Sequence, residues 1–229
     1  MPRPFLIPAA AAFLSIAGPV PGSIPGPIPG PIGARTVSDW AIEAESPDTR
    51  ITERAGILDI DSPKGVTLWW RRPIASPVTI GFEAMAVSAG GPNDRVSDLN
   101  AFWMATDADG ASVLAHRRNG AFAAYDDLKT YYVGIGGNRN TTTRFRRYIG
   151  QPGNRPLLPE HDLAGAADML RPNVWTRIRL IADGRTVAVE RDGRRLFTLT
   201  DDQPYTRGHW ALRTTWSHLR IRLVSVVRR

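Results

Sequence analysis

Apolar residues recur along this chain at every second position far more often than at every third or fourth. Trp40, Ile42 and Ala44 alternate with Ala41, Glu43 and Glu45. Val78, Ile80, Phe82, Ala84 and Ala86 share one parity, as do Val174, Thr176, Ile178 and Leu180, with Arg177 and Arg179 between them. Gly65 to Arg71 and the aromatic-rich Asn100 to Thr106 read the same way. Side chains on a strand point alternately to its two faces, so these runs predict half-buried strands. Asp183-Gly184 and Asp192-Gly193 separate the runs at 174–181, 186–190 and 195–200 and predict hairpins, because glycine supplies positive φ. Two final runs follow, His209 to Thr215 and Leu219 to Val227, the second with a stripe of Leu219, Ile221, Leu223, Ser225 and Val227.

Leu163 to Leu170 alone reads as helical, one or two turns after the N-cap Asp162 and ending before Pro172. About ten strands and one short helix predict an all-β fold, a two-sheet antiparallel sandwich of jelly-roll type.

The first 33 residues read differently. Met1-Pro2-Arg3 and the apolar run Phe5 to Ala17 make residues 1–17 a signal peptide, which predicts a secreted or periplasmic protein. Residues 18–33 alternate proline and glycine, cannot form a helix or ladder strand, and read as an extended tether. One sandwich domain is then expected over 34–229. No apolar run reaches the roughly 20 residues of a membrane span.

Charge and composition narrow the chemistry. Cysteine is absent, which excludes disulfides, thiolate metal sites and a cysteine nucleophile. The formal net charge is +7, and lysine occurs only at Lys64 and Lys129, so arginine carries nearly all the positive charge. A GC-rich genome explains that bias, although a forked guanidinium also suits carboxylate, phosphate and sulfate; the net positive charge makes an acidic partner the expectation. No nucleic-acid recognition motif is present. The four histidines show no metal-ligand spacing, and Asp107-Ala108-Asp109-Gly110 reads as a turn. No cofactor is expected, with a structural calcium left open.

The turn cadence after Asn173-x-Trp175 resembles concanavalin A-like, laminin-G-like jelly rolls. Ser97 to Thr106, Tyr131 to Asn138 and Thr141 to Tyr148 resemble an uncharacterised secreted bacterial family associated with polysaccharide degradation. The resemblance implies a carbohydrate ligand and assigns no catalytic residue.

Folding alone does not call for the polar residues between Asn100 and His161. Alternation puts Arg144, Arg146 and Tyr148 on one face of a strand and Thr143, Phe145 and Arg147 on the other. Tyr131 to Asn138 is glycine-rich, for a close backbone approach or for a turn. Glu160-His161-Asp162 begins like the E-x-D-x-x-E strand of retaining glucanases, but Gly165 stands at its last position.

Metal-independent β-elimination on an acidic glycan needs a carboxylate neutraliser, a base and an acid. The candidates are Arg144, Arg146 and Asn138 as neutralisers, His116 or His161 as base, and Tyr132 or Tyr148 as acid. Asn100 and Trp103 complete the expected sugar contacts. The alternatives are a non-catalytic carbohydrate-binding domain using Trp103, Tyr132 and Tyr148 as stacking rings, or a glycoside hydrolase of the same fold. A monomer is expected.

Overall fold

The computed structural model describes residues 36–228; the expected signal peptide and tether lie outside the described residues. The fold is all-β, one antiparallel sheet curled into two layers. Its strands are β1 (Trp40–Ala44), β2 (Arg50–Arg54), β3 (Ile57–Trp70), β4 (Ile74–Ala75), β5 (Val78–Ala86), β6 (Leu99–Thr106), β7 (Lys129–Gly136), β8 (Thr142–Ile149), β9 (Asp162–Leu163), β10 (Thr176–Asp183), β11 (Thr186–Arg191), β12 (Arg194–Thr200) and β13 (Arg207–Arg228).

The two predicted final strands are one. β13 runs for 22 residues; its first half pairs with β6 and its second with β5, while β3 lies along its other side from Ala211 to Ile221. One layer is therefore β1, the end of β3, the start of β13, then β6, β7, β8 and β9. The other is β2, the start of β3, the end of β13, then β5, β10, β11 and β12.

The inner faces follow the alternation. Leu99, Ala101, Trp103, Val133, Phe145 and Leu212 of the first layer meet Ile80, Phe82, Ile178, Leu180, Val189 and Phe197 of the second in one core. The Asp192-Gly193 turn has positive φ at both residues, 51° and 82°, the geometry that joins two right-twisted strands by a two-residue loop.

Three expectations need correction. Leu163 to Leu170 is not a helix: Leu163 ends β9, and only Ala166–Asp168 makes a 3-10 turn. Side chains pin the end of the segment instead, with Thr143 and Arg191 donating to the Asp168 carbonyl and Arg191 to that of Met169. The stripe of β13 breaks at Leu223, which sits at φ 53° in an irregularity of the β5 pairing, is exposed, and yields its inward place to Val224. Glu43, expected on a solvated face, is buried. It accepts hydrogen bonds from Trp69 Nε1 (2.9 Å), the Tyr125 hydroxyl (2.9 Å) and the Arg118 backbone N–H (2.7 Å).

Those bonds fasten the segment between β6 and β7 onto the outer face of the first layer. Val113, Tyr125 and Leu128 pack there on Trp69, Phe102, Tyr132 and Tyr148, forming a second apolar cluster. The first layer is thus buried on both faces over part of its area, which explains its aromatic-rich strands.

Arginine pairs also clasp the second layer. Glu83 on β5 accepts from Arg177 on β10 (3.0 Å) and Arg222 on β13 (2.9 Å). Burial alone would raise the Glu83 carboxyl, but hydrogen bonds and charge from the two guanidinium groups outweigh it and hold it below the usual range. A carboxyl depressed in the folded state stabilises above its unfolded pKa, and that stability is lost as pH falls through the folded value. Glu83→Gln should therefore lower Tm by several degrees at about pH 7 and leave it close to wild type at about pH 2. Thermal melts at the two pH values check this.

Candidate functional site

A cleft of about 790 Å³ opens on the outer face of the first layer, beside the covering segment. Its floor follows from strand parity. Asn100 on β6, Tyr132 and Gly134 on β7, Arg144 and Arg146 on β8, and Arg213 and Thr215 on β13 all share the face opposite the core. Phe122 and Arg155 form one wall, and Arg95 to Asp98 with Trp216 form another. One end is a left-handed turn, Gly137–Asn140, with φ of 52°, 59° and 62° at Asn138, Arg139 and Asn140. Asparagine tolerates that conformation better than most residues, which accounts for the two at this turn.

Five of the nine expected site residues line the cleft: Asn100, Tyr132, Asn138, Arg144 and Arg146. The strand-face expectation for β8 holds, with Phe145 in the core and Arg144, Arg146 and Tyr148 opposite it. Tyr148 reaches the same face but is fully buried below the cleft, with its ring 5.5 Å from Tyr132. Burial pushes its hydroxyl up to about 12, against the opposing charges of Arg155 and Arg146.

The structure does not bring the other three there. Trp103 has the wrong parity and packs in the inter-layer core, 5.6 Å from Tyr131 and 5.8 Å from Phe145. His116 lies on the covering segment, exposed, with Nδ1 2.9 Å from Asp107. His161 is buried on the core side, edge-on to Phe145 at 4.8 Å, with Nε2 3.1 Å from the Thr198 carbonyl. Neither histidine lines the cleft, so neither is placed to act as its base.

The glycine-rich run has a local cause. A Cβ at Gly134 would stand 2.6 Å from the Tyr132 hydroxyl and 2.8 Å from Asn100 Oδ1. The Tyr132 side chain lies over Gly134 and donates to Asn100 Oδ1 at 3.1 Å. The close approach that needs a glycine is made by the protein's own phenol.

Three residues were missed. Asp98 is the one carboxylate among the residues lining the cleft, and it sits at φ 56°. Burial raises its carboxyl, against hydrogen bonds from Ser97 and Asn100 and the charge of Arg213. Arg213 is 2% exposed and donates to Thr67 Oγ1 and the Gly120 carbonyl, both at 2.8 Å. Trp216 stands exposed at the rim. The signal for Arg213 was present: it is a cation on the face of β13 opposite Trp210 and Leu212.

Six arginines thus face one carboxylate. Arg144 is held by Asp162 through two bonds of 2.8 and 3.0 Å, and Arg155 lies 3.5 Å from Asp126. Arg95, Arg139, Arg146 and Arg213 make no ion pair with a carboxylate among the described residues. Burial lowers the pKa of Arg146 and of Arg213, and Arg144 and Arg155 press Arg146 further. A bound anion would relieve both. Among the described residues no group of three or more His, Asp or Glu is arranged to hold a metal ion, and no helix is long and apolar enough to cross a membrane.

Fold and site together define a sandwich with a cationic cleft on one face. The chain belongs to the family described as domain of unknown function (DUF6250), which matches residues 60–224. No curated protein matches it. Its fold is similar to that of a Bacillus subtilis protein of unknown function with a galectin-like fold, at 16% identity over 84% of this chain and 92% of that one, TM-score 0.63. It is also similar to the carbohydrate-binding module CBM66 from Bacillus subtilis, at 10% identity, 82% and 94% coverage, and TM-score 0.55. A third likeness is to the VIP36 exoplasmic/lumenal domain in its Ca²⁺/Man-bound form, at 11% identity, 83% coverage of each chain, and TM-score 0.54. These likenesses establish a galectin-like jelly-roll fold.

Gly134→Ala should destabilise the protein by about 1–3 kcal/mol, the ordinary cost of overpacking. Adding Tyr132→Phe removes the atom in closest conflict. The cost of the alanine should then fall clearly in a double-mutant cycle read by urea denaturation.

Proposed function

We propose that this protein binds an acidic glycan in the cationic cleft, outside the cytoplasm. The observation that carries the reading is the pair Arg146 and Arg213, which line the same cleft, half-buried and fully buried, and make no salt bridge among the described residues. Leaving a buried charge uncompensated is costly, and a ligand carboxylate or sulfate between them supplies the missing partner through charge-assisted bonds. Arg139 and Arg95 extend the positive field along the cleft. The descriptions of two fold neighbours, a carbohydrate-binding module and a Ca²⁺/Man-bound lumenal domain, support sugar as the ligand class. The N-terminal charge and apolar pattern supports export.

Titration with oligogalacturonate and with a neutral oligosaccharide of equal length tests this. The acidic ligand alone should bind, more weakly as salt rises, and Arg146→Gln should weaken it by about tenfold. Failure to bind both uronate and sulfated oligosaccharides would overturn the reading.

A second reading, β-elimination, is favoured by the positions of Asp98 and Tyr132. Both bond to the Asn100 side chain, and their surroundings suit opposite tasks. Burial raises the Asp98 carboxyl toward the range of a useful base, and burial drives the Tyr132 phenol far up, so it stays protonated and suits an acid. The Asp98 carboxylate would take the C5 proton of a uronate whose carboxylate rests on the arginines. The C5 electron pair becomes the C4–C5 double bond, the C4–O bond breaks, and the departing oxygen takes the Tyr132 proton. Hydrolysis by a carboxylate pair has less support, since the cleft offers one carboxylate. Asp98→Asn should abolish formation of the unsaturated product, followed by ultraviolet absorbance, while the glycan still binds. Wild-type binding without product would leave the module reading standing alone.

A further inference from the structure

Strict alternation along β13 would put residue 216 in the core. Trp210, Leu212 and Thr214 face the layers' interior, and Ala211, Arg213 and Thr215 face outward. The pairing with β3 then slips between Thr215 and Ser217, and after the slip Ser217, Leu219 and Ile221 are buried. β3 carries the extra residue of this bulge, Pro63 and Lys64 standing opposite Trp216 alone, and Trp216 is where the inward phase of β13 changes from Thr214 to Ser217. Its φ is 44°, a left-handed conformation rare for a bulky side chain and one that costs about 1–3 kcal/mol. The Thr214 and Ser217 hydroxyls hydrogen-bond to each other across it.

The result is an indole turned out of the core to the cleft mouth, 42% exposed, with the Arg95 guanidinium stacked on its ring. Of the seven tryptophans, Trp40, Trp69, Trp70, Trp103 and Trp210 are buried. Spending backbone strain to expose an aromatic ring beside a cationic cleft serves no packing purpose. Bulges re-aim side chains where a ligand is met.

We propose that Trp216 and Arg95 form a sugar-binding platform at the cleft mouth, the indole stacking on a pyranose ring and Arg95 pairing with that sugar's acid group. The proposal rests on the acidic-glycan reading of the cleft and adds a subsite to it. It also replaces Trp103, which faces the core, as the stacking residue.

Trp216→Gly and Trp216→Asn test it, since both residues adopt positive φ at lower cost. Each should keep Tm at or above wild type while weakening oligogalacturonate binding about tenfold by calorimetry, the scale of one lost ring contact. Arg95→Gln should weaken the acidic ligand with Tm unchanged. If wild type binds oligogalacturonate and the Trp216 variants bind it equally well, the platform fails and the cleft reading stands. If wild type binds no acidic glycan, the cleft reading fails and takes the platform with it. A fall of several degrees in Tm for both Trp216 variants would overturn the platform in favour of a packing role. So would a wild-type dimer that both variants convert to monomer by light scattering, because a second copy would then cover the ring.

Discussion

Two long strands paired to each other, β3 and β13, run through both layers, and the rest of the architecture answers to that constraint. A straight 22-residue strand would run about 70 Å, well beyond the roughly 40 Å breadth of a domain this size. β13 must therefore bend, and its pairings slip at Thr215 to Ser217 against β3 and at Arg222 to Ser225 against β5. Trp216 and Leu223 are the residues put out of phase, both at positive φ. The strand delivers Trp210 and Leu212 to the core, Arg213 to the cleft, and Leu219 and Ile221 back to the core. Scaffold and site are successive residues of one strand, and the bend that closes the sandwich also sets the mouth of the cleft.

A second constraint comes from charge taken out of water. Glu43 is buried among an indole N–H, a phenol and a backbone N–H, so it is satisfied, and it ties β1 to the covering segment. Arg118 fixes the same segment from within, donating to Asp107 at 2.6 Å and to the Ala124 carbonyl at 2.9 Å. These groups have their partners. Arg213 is as deeply buried but binds only neutral acceptors. The contrast with Arg118 separates buried charge that has its ionic partner from buried charge that has none within salt-bridge reach, the feature the proposed anion would use. Both kinds lie on the same face of the same layer.

Much of the fold was legible because alternation is a local signal. The hairpins at Asp183-Gly184 and Asp192-Gly193 and the faces of β8 and β10 follow from it directly. The site was half legible for the same reason. Parity joins Asn100, Tyr132, Arg144 and Arg146, and it forbids Trp103, three residues from Asn100, from sharing their face. Bulges escape a parity argument, so Trp216 and Leu223 were placed wrongly or not at all. Contacts across long stretches of chain escape it too. Nothing near Glu43 announces Arg118 or Tyr125, and nothing near His161 announces the Thr198 carbonyl that engages it.

The covering segment decides where on that face chemistry can occur. Where it lies down, the outer face is apolar and dry, with Trp69, Phe102 and Tyr148 beneath it. Where it stops, the same layer carries Arg144 and Arg146, with Arg213 at the segment's edge under Gly120 and Phe122. Tyr132 belongs to both regions: its ring packs on Phe102 at 5.1 Å, and its hydroxyl meets Asn100 in the cleft. A polar group at such a boundary is held rigidly by its apolar side and sits in a weakly screened field on the other. Asp98 and Arg213 act on each other there, the cation holding the acid down while burial pushes it up. An anion placed on Arg213 would weaken that hold and raise the Asp98 carboxyl further. On the proposed acidic-glycan reading, ligand binding and the proton affinity of Asp98 would be coupled through a single guanidinium, whether the cleft turned that ligand over or only held it.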